Sequence, residues 1–456
     1  MSKMPSTELL KKYNVPGPRY TSYPTVPYWT ENPTEEQWIR CVSNALDESA
    51  VHGVGAAIYV HIPFCESLCT YCGCNTRISR NHKVAEPYIN GVLKEWDLYL
   101  SKLDRNVLLS ELHFGGGTPT FLSPEELDRI VRGVLSRVKI TDSAEFSIEA
   151  DPRVTKKEHL EVLAKHGFRR LSLGVQDFDP KVQEIVHRTQ SVEQVRQVTE
   201  SARALGFTSV NYDLIYGLPL QTLESVQRTI EAVRSLRPDR IAFYAYAHVP
   251  WIKPAHRRFT EADLPSGDEK RALYEAGRRM LEEAGYVEIG MDHFALESDS
   301  LFKASLDGTL HRNFMGYTSR QVSPLIGLGV SAIGDSWTAF AQNEKLVEKY
   351  EARVEAGELP LIRGHVLNEE DLVVRKHILN LMTRFTTDWR ESLRTPYLDT
   401  VAEKLSELSR DECVEISATT CRITEKGKPF LRNICMAFDA RLARNAPNTQ
   451  LFSKTI

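Results

Sequence analysis

The sequence lacks any apolar run long enough to cross a membrane, and its N-terminal residues lack the apolar core of a signal peptide. It also lacks a large excess of charge of either sign, because its formal net charge is −4. This balance argues against a protein that binds polyanions along its whole surface. We therefore expect a cytoplasmic protein that acts on neither membranes nor nucleic acids.

Cysteine is scarce outside one short segment. Four of the eight cysteines lie within residues 65–74. The others are interpreted as small buried apolar residues, namely Cys41, Cys413, Cys421 and Cys435. This usage agrees with a reducing compartment. The length of 456 residues and the apolar share of 42% predict a large core, either in more than one domain or in one barrel with additions.

The crowded cysteines have the spacing of a metal-binding loop. Cys65, Cys69 and Cys72 follow the pattern C-x3-C-x2-C, and Cys74 follows two residues later. A tetrahedral zinc site is one interpretation, but structural zinc usually takes its ligands from two separated pairs, and no second C-x2-C pair occurs. Three close thiolates suit a [4Fe–4S] cluster that has one iron without a protein ligand. The spacing favours the cluster over zinc.

Apolar runs alternate with amphipathic stretches through the first half of the chain. Strands are predicted at 57–62, 109–114, 145–150, 170–175, 209–215 and 240–246. The stretches between them have apolar residues at helical spacing, which predicts helices. One of these stretches begins at Ser123-Pro-Glu-Glu126, which has the residues of a capping box. Six β–α units predict a parallel sheet with helices outside, as a partial barrel or an open doubly wound sheet. In a barrel, the chemistry belongs at the C-terminal ends of the strands.

Residues suited to binding follow these predicted strands. The run Gly115-Gly-Gly117 comes after the second strand, where glycine lets the backbone approach a ligand closely. Glu149 ends the third strand, and Asp213 lies near the end of the fifth. A glycine run alone is weak evidence, because tight strand-to-helix turns also require glycine.

The cysteine loop resembles the radical S-adenosylmethionine (SAM) signature, with Tyr71 just before the third cysteine. The longer string Tyr-Val-His-Ile-Pro-Phe-Cys at 59–65 is similar to one family, the oxygen-independent coproporphyrinogen III oxidases, also called dehydrogenases. Further strings resemble the same family, so the resemblance covers residues 17–439. They lie at 17–25, 174–176, 290–295, 310–317 and 433–439.

The resemblance implies a fold and a division of the chain. It selects an α/β fold with a partial (β/α)6 TIM-like barrel of the radical SAM type. We expect an extended N-terminal arm at 1–35, a catalytic domain at 36–370, and a mainly helical, winged-helix-like domain at 371–456. The last of these has mixed charge and no basic stripe, so covering the substrate is a better interpretation than binding DNA.

The resemblance also implies roles for individual residues. The cluster ligands would be Cys65, Cys69 and Cys72, with Cys74 outside the set. The expected cofactor-binding residues are Tyr59, Tyr71, Gly116, Gly117, Thr118, Glu149, Gln176, Arg188, Asp213, Ala247, Phe314 and Ile333. Two SAM molecules are expected, with Ile333 beside the second. Met315 departs from the family, which often has glutamine at that second SAM position.

The implied reaction is the radical SAM decarboxylation of two propionates of coproporphyrinogen III to vinyl groups, giving protoporphyrinogen IX. Tyr59, Arg19 and Arg312 are the expected catalytic or substrate-binding residues. A reducing partner such as flavodoxin or ferredoxin and a monomeric state are expected. One rival is a haem-binding relative, but such proteins have Phe where this chain has Cys74 and lack the tyrosine arm. The other rival, a radical SAM enzyme acting on intact haem, would share the arm less well.

Overall fold

A computed structural model describes residues 6–390, 393–447, 449 and 451–455. Its centre is a twelve-stranded sheet. In chain order, the strands are β1 (Ala56–Ile62), β2 (Leu108–Gly116), β3 (Lys139–Ala150), β4 (Phe168–Gln176), β5 (Ser209–Tyr216), β6 (Arg240–Ala245), β7 (Tyr286–Gly290), β8 (His293–Leu296), β9 (Leu325–Leu328), β10 (Ile333–Asp335), β11 (Ala339–Asn343) and β12 (Leu361–Val366).

The sheet has a parallel centre and antiparallel edges. Its strand order is β12-β11-β10-β9-β1-β2-β3-β4-β5-β6-β8-β7. Strands β1 to β6 are parallel to one another, and β9 joins β1 in parallel, for example Tyr59 opposite Gly327. Because the C-terminal ends of these strands meet at one edge, the loops that follow them gather there.

Helices cover the outside of the parallel strands. The α-helices of the described residues are α1 (Thr7–Tyr13), α2 (Glu35–Val51), α3 (Ala85–Leu103), α4 (Pro124–Leu135), α5 (Lys157–Lys165), α6 (Pro180–Ile185), α7 (Val192–Ala204), α8 (Leu223–Leu236), α9 (Gly267–Glu283), α10 (Ser300–Asp307), α11 (Val347–Glu355), α12 (Glu369–Arg384), α13 (Val401–Lys404), α14 (Ser406–Arg410), α15 (Leu431–Phe438) and α16 (Ala440–Arg444). None of them combines the length and apolar composition that crossing a bilayer requires.

The predicted α/β partial barrel is confirmed. All six predicted strands are present, and the capping box at Ser123 and Glu126 starts α4 as expected. Strand β3 begins at Lys139, earlier than the predicted start at residue 145. Its first half is polar, so no apolar run marks it, yet Lys139 and Ile140 pair with Leu108 and Leu109.

The C-terminal region is mainly helical, as predicted. A small sheet in the order Thr386–Asp388, Thr420–Ile423, Val414–Ile416 lies among its helices.

The N-terminal segment belongs to the core of this region. Helix α1 is followed by irregular backbone, and Tyr13, Tyr20 and Tyr23 are buried in one apolar cluster with side chains of α12 and α15. Burying three aromatic rings stabilises the docking of the segment by several kcal/mol, on the order of 1.5–3 kcal/mol for each apolar side chain. The segment is therefore part of a packed core.

Candidate active site

A cavity of about 400 Å³ opens at the C-terminal ends of the barrel strands. Four cysteines from the loop after β1 line it. The glycine run, Glu149, Gln176, Arg188 and Asp213 line the same cavity. Residues that are far apart in the sequence thus meet at the edge where a barrel places its chemistry.

Backbone pairing shapes the cysteine loop. The short strands Phe64–Cys65 and Arg77–Ile78 pair in parallel, so that the loop returns on itself. The Cys72 N–H donates to the Cys69 carbonyl over 3.1 Å. The Cys65 sulfur lies 3.3 Å from the Thr118 hydroxyl, which joins the cysteine loop to the glycine loop.

The donor set of this loop fits an iron–sulfur cluster. Within the described residues, no three His, Cys, Asp or Glu side chains converge closely enough to hold a single metal ion. A cluster needs thiols that face one space, and Cys65, Cys69 and Cys72 line one cavity. The Cys74 hydrogen bond, together with nearby cations, lowers the pKa of Cys72 to about 6. Burial raises the pKa of Cys65 to about 11.

The glycine run passes directly beneath the cysteine loop. Gly116 has φ +120°, and a Cβ there would lie 2.8 Å from the His61 ring. A Cβ on Gly117 would lie 2.6 Å from the Pro63 carbonyl oxygen. Only glycine fits these two positions, which leaves the backbone open to the cavity.

Glu149 presents an ionised carboxylate to the cavity. Its Oε2 accepts a hydrogen bond of 3.1 Å from the Gly116 N–H, and its Oε1 lies 3.5 Å from His113 Nε2. Burial works to raise the pKa of Glu149, but the contacts with His113 and Gly116 outweigh burial, and the pKa is lowered. A carboxylate in this state suits an ammonium group of a ligand.

Arg188 closes the opposite wall. Its Nη1 donates to Asp151 Oδ2 over 3.1 Å and lies 3.7 Å from the Cys69 sulfur. Its Nη2 donates to the Gly174 carbonyl over 2.5 Å, and its buried Nε has no partner among the described residues. Because a buried N–H without a partner is costly, this Nε is suited to an anionic ligand.

Asp213 lies on β5 with both oxygens held in place. Ser172 donates to Oδ2 over 3.0 Å, and Asn211 donates to Oδ1 over 2.9 Å. Burial, reinforced by the charge of Glu149, raises its pKa to about 7. Gln176, at the end of β4, has φ 66°, an uncommon conformation for a residue with a side chain.

Of the two predicted tyrosines, Tyr59 lies on β1 and Tyr71 lies within the cysteine loop. The Tyr59 hydroxyl lies 3.0 Å from His61 Nδ1, and its ring stacks on His113. Tyr71 lines the cavity, and its backbone carbonyl lies 3.0 Å from His256 Nε2. Their roles in binding SAM stay predictions.

Four predicted cofactor residues lie outside the set that lines the cavity: Tyr59, described above, and Phe314, Ile333 and Ala247. Phe314 and Ile333 pack in one small cluster with Trp29 and Phe340. Ala247 lies half-buried in the segment after β6. Met315, in contrast, does line the cavity. The structure thus groups Phe314 with Ile333, as a shared second site would need, and leaves their role a prediction.

The two predicted substrate arginines are held differently. Arg312 is 7% exposed, its guanidinium lies 4.6 Å from the Tyr317 ring centroid, and its Nε and Nη1 have no partner among the described residues. Arg19 donates to the Ala245 carbonyl over 2.7 Å and lies 3.8 Å from Asp292. Arg312 therefore has free donors in a buried place, whereas Arg19 is partly exposed at the end of β6.

Several charged residues of the cavity were not predicted from the sequence. Arg153 forms a pair of 2.6 Å with Asp151, and Arg170 forms one of 2.7 Å with Glu145. The position of Asp151 could have identified it as a site residue, because it lies two residues after Glu149 at a strand end and alternate strand residues point to the same side. Nothing in the sequence marks Arg153 or Arg170 as a site residue, because isolated arginines are mostly solvated.

The comparisons with known proteins agree with this geometry. The Radical SAM superfamily model matches residues 59–233. The fold and the cysteine loop therefore define a radical SAM protein. The chain is 39% identical over 454 residues, 98% of each chain, to the oxygen-independent coproporphyrinogen III oxidase of Escherichia coli. It is 38% identical to that of Pseudomonas aeruginosa, again over 98% of each chain.

A solved structure extends the likeness to the whole fold. Coproporphyrinogen III oxidase (HemN) from Escherichia coli, described as a radical SAM enzyme, matches with a TM-score of 0.87 and 37% identity. The match covers 96% of this chain and 100% of that one. This chain belongs to the oxygen-independent coproporphyrinogen III oxidase family.

Proposed function

We propose that this protein converts two propionate side chains of coproporphyrinogen III to vinyl groups and so forms protoporphyrinogen IX in porphyrin and haem biosynthesis. One observation carries the proposal: the cysteines, Glu149, Arg188 and Asp213 meet in one cavity of a chain related to these oxidases over nearly its full length. When bound, the cluster and SAM supply a carbon-centred radical that removes a hydrogen atom from a propionate.

The residues of the cavity divide the work of holding these groups. Cys65, Cys69 and Cys72 would hold the [4Fe–4S] cluster. The carboxylate of Glu149 would bind the amino group of SAM, and the open Nε of Arg188 would bind its carboxylate. Asp213 would accept from the ribose hydroxyls. The Gly116 and Gly117 backbone, with Thr118, Gln176, Tyr59 and Tyr71, would complete the walls and exclude water.

Arg312 is the best-supported partner for a substrate propionate. Its two open, buried N–H groups need an acceptor, and a carboxylate supplies two oxygens in the geometry of a guanidinium fork. Arg19 could hold a second propionate from the arm. The substrate carries four carboxylates, so two cations account for part of its recognition.

The finer features extend the proposal. A second SAM would lie by Phe314 and Ile333, with Ala247 near the first. The enzyme would act as a cytoplasmic monomer that takes electrons from flavodoxin or ferredoxin. The proposed division is an arm at 1–35, a catalytic domain at 36–370 and a covering domain at 371–456. The packing of Tyr20 and Tyr23 into the C-terminal core supports joint closure of the arm and the covering domain.

An anaerobic assay tests the function. The reconstituted protein is incubated with dithionite, SAM and coproporphyrinogen III, and vinyl products are followed by chromatography. We expect protoporphyrinogen IX and consumption of SAM. Haem binding without turnover would instead favour a haem-carrying relative.

A further inference from the structure

Three surface segments surround the cysteine loop at the mouth of the cavity. Residues 77–83 begin beside Cys65, where the Ser79 N–H donates to the Cys65 carbonyl over 2.9 Å. In the segment 250–258, Lys253 Nζ donates to the Cys74 carbonyl over 2.9 Å. Asn75 of the loop donates to the Lys345 carbonyl in the segment 344–346 over 3.0 Å. We call these segments, with residues 66–68, the rim surface.

The rim surface is basic although the whole chain is acidic, with a net charge of −4. Its two carboxylates are outnumbered by seven Lys and Arg side chains: Glu66 lies 3.1 Å from His82, and Glu344 accepts from the Lys345 N–H. Six cations of the rim form no ion pair within the described part of the chain, namely Arg80, Lys83, Lys253, Arg257, Arg258 and Lys345. A local field of this sign attracts an acidic partner.

Apolar side chains lie exposed between these cations. Trp251 is 45% exposed, Ile252 57% and Leu346 54%. Leu68 and Ile78, next to the cysteines, are each 43% exposed. A patch of exposed aliphatic residues and one aromatic residue, surrounded by charged residues, is typical of a protein–protein interface. A small ligand would require an enclosed pocket, which an open rim does not provide.

We propose that the rim surface is the docking site of a small acidic electron-carrier protein. The inference rests on the proposed function, because that function needs an external one-electron reductant. In each docking event the carrier loses one electron and the cluster gains one, with no atom transferred. The cysteine loop lies directly beneath the rim, so a docked carrier would be near the thiolates.

The substrate is also acidic, but the structure argues against the rim as its binding site. The arginines proposed to bind the carboxylates of coproporphyrinogen lie outside the rim surface. Arg312 is buried with open donors, and Arg19 bonds to Ala245 at the end of β6. Five of the six rim cations without an ion pair are exposed, all except Lys253, which suits long-range attraction of a protein.

Charge reversal on the rim tests the proposal. The rim variant is Lys83→Glu with Lys345→Glu; both residues are exposed and neither is a candidate cluster or SAM ligand. The matched control is Lys139→Glu with Lys303→Glu, two exposed lysines on β3 and α10 outside the rim. The two variants have the same total charge. Purified acidic flavodoxin and acidic [2Fe–2S] ferredoxin serve as probes with the reconstituted enzyme.

Binding is the first readout and does not depend on activity. At about 50 mM salt, we expect the rim variant to bind a carrier at least about tenfold more weakly than wild type. The control variant should bind it with an affinity within about twofold of wild type. At about 300 mM salt the difference should shrink, because screening weakens exposed charges. Equal binding of both carriers by the rim variant and the control would overturn the proposal.

Turnover with dithionite is the second readout, since a small reductant needs no docking. We expect all three proteins to turn over equally with dithionite, whereas carrier-driven turnover falls only in the rim variant. A raised KM for coproporphyrinogen in the dithionite assay would assign the rim to the substrate and overturn the proposal. No dithionite-driven product from wild type would contradict the proposed function, while the binding comparison would still decide the docking.

Discussion

Arg188 and Asp151 form a buried ion pair of 3.1 Å beside the sulfur of Cys69. Asp151 also pairs with Arg153 over 2.6 Å, so one carboxylate holds two guanidinium groups. This arrangement places positive charge next to the sulfur of a predicted cluster ligand and fixes the plane of Arg188. It leaves the Arg188 Nε free for a ligand, which makes the pair a wall of the site as well as a structural contact.

Replacing Arg188 with lysine should weaken SAM binding without loss of the cluster. Lysine keeps the charge but cannot supply the fork that spans Asp151, Gly174 and a ligand. One hydrogen bond to a charged group contributes about 1.5–3 kcal/mol, so we expect a loss of about tenfold or more in affinity. Isothermal titration and iron analysis measure the two effects. Arg170→Lys, at the Glu145 pair, is the matched control, and equal affinities in the two variants would contradict the assignment.

The four cysteines of the loop should separate into two classes. Alanine at Cys65, Cys69 or Cys72 should abolish the visible cluster absorbance, since each supplies a thiolate. Cys74→Ser should keep nearly all of it, because Cys74 is predicted to lie outside the ligand set. Iron and sulfide analysis of the reconstituted variants provides the measurement. If Cys74→Ser loses iron as fully as the others, the three-cysteine site is wrong.

SAM binding should depend on pH through Asp213. Its pKa is raised to about 7, so below that pH the free protein holds it mostly neutral. Ribose hydroxyls donate to the ionised form, so binding should lower the pKa and release a proton. The affinity for SAM should therefore rise with pH up to about 7 and level off above it. The total rise should be about tenfold for each pH unit by which SAM binding lowers the pKa of Asp213. Asp213→Asn should bind weakly at every pH, and a slope retained in this variant would exclude Asp213 as the cause.

Arg312→Met should lower turnover without lowering stability. The guanidinium is buried with two donors unpaired, a costly state that methionine relieves at similar volume. We expect KM for coproporphyrinogen to rise about tenfold or more. The affinity for SAM should not change, and the thermal midpoint should stay the same or rise. Steady-state kinetics and calorimetry decide the point. Loss of stability together with normal KM would return Arg312 to a structural role.

The N-terminal arm should contribute to the stability of the C-terminal core. Tyr23 is 2% exposed in the cluster that also contains α12 and α15 side chains. Tyr23→Ala should cost about 3–5 kcal/mol of unfolding free energy, whereas Tyr23→Phe keeps the ring and should cost about 1 kcal/mol or less. Urea unfolding compares the two. Equal stability of both variants would show that the arm lies loosely on the surface.

Much of the barrel and of the site could be predicted from the sequence, because the signals are local. The buried strands of the barrel appear as apolar runs, and α4 begins at a capping box. The cysteines are close together, and the glycines and Glu149 directly follow strands. Periodicity left an open doubly wound sheet as an alternative, and the resemblance to the oxidase family selected the barrel. In a parallel barrel the strand order then brings these residues to one edge.

Other features were decided only by the tertiary structure. Arg153 and Arg188 meet at Cys69, and Tyr20 donates to Asp439 over 3.0 Å, although long stretches of chain separate these partners. The antiparallel strands at both edges of the sheet are short, and no regular alternation of apolar and polar residues distinguishes them from loops. Such contacts depend on how whole elements pack, and a side chain's sequence neighbours carry no information about a partner hundreds of residues away. The sequence by itself therefore determined the barrel and the cluster loop, whereas packing decided which cations surround the cluster and where the arm lies.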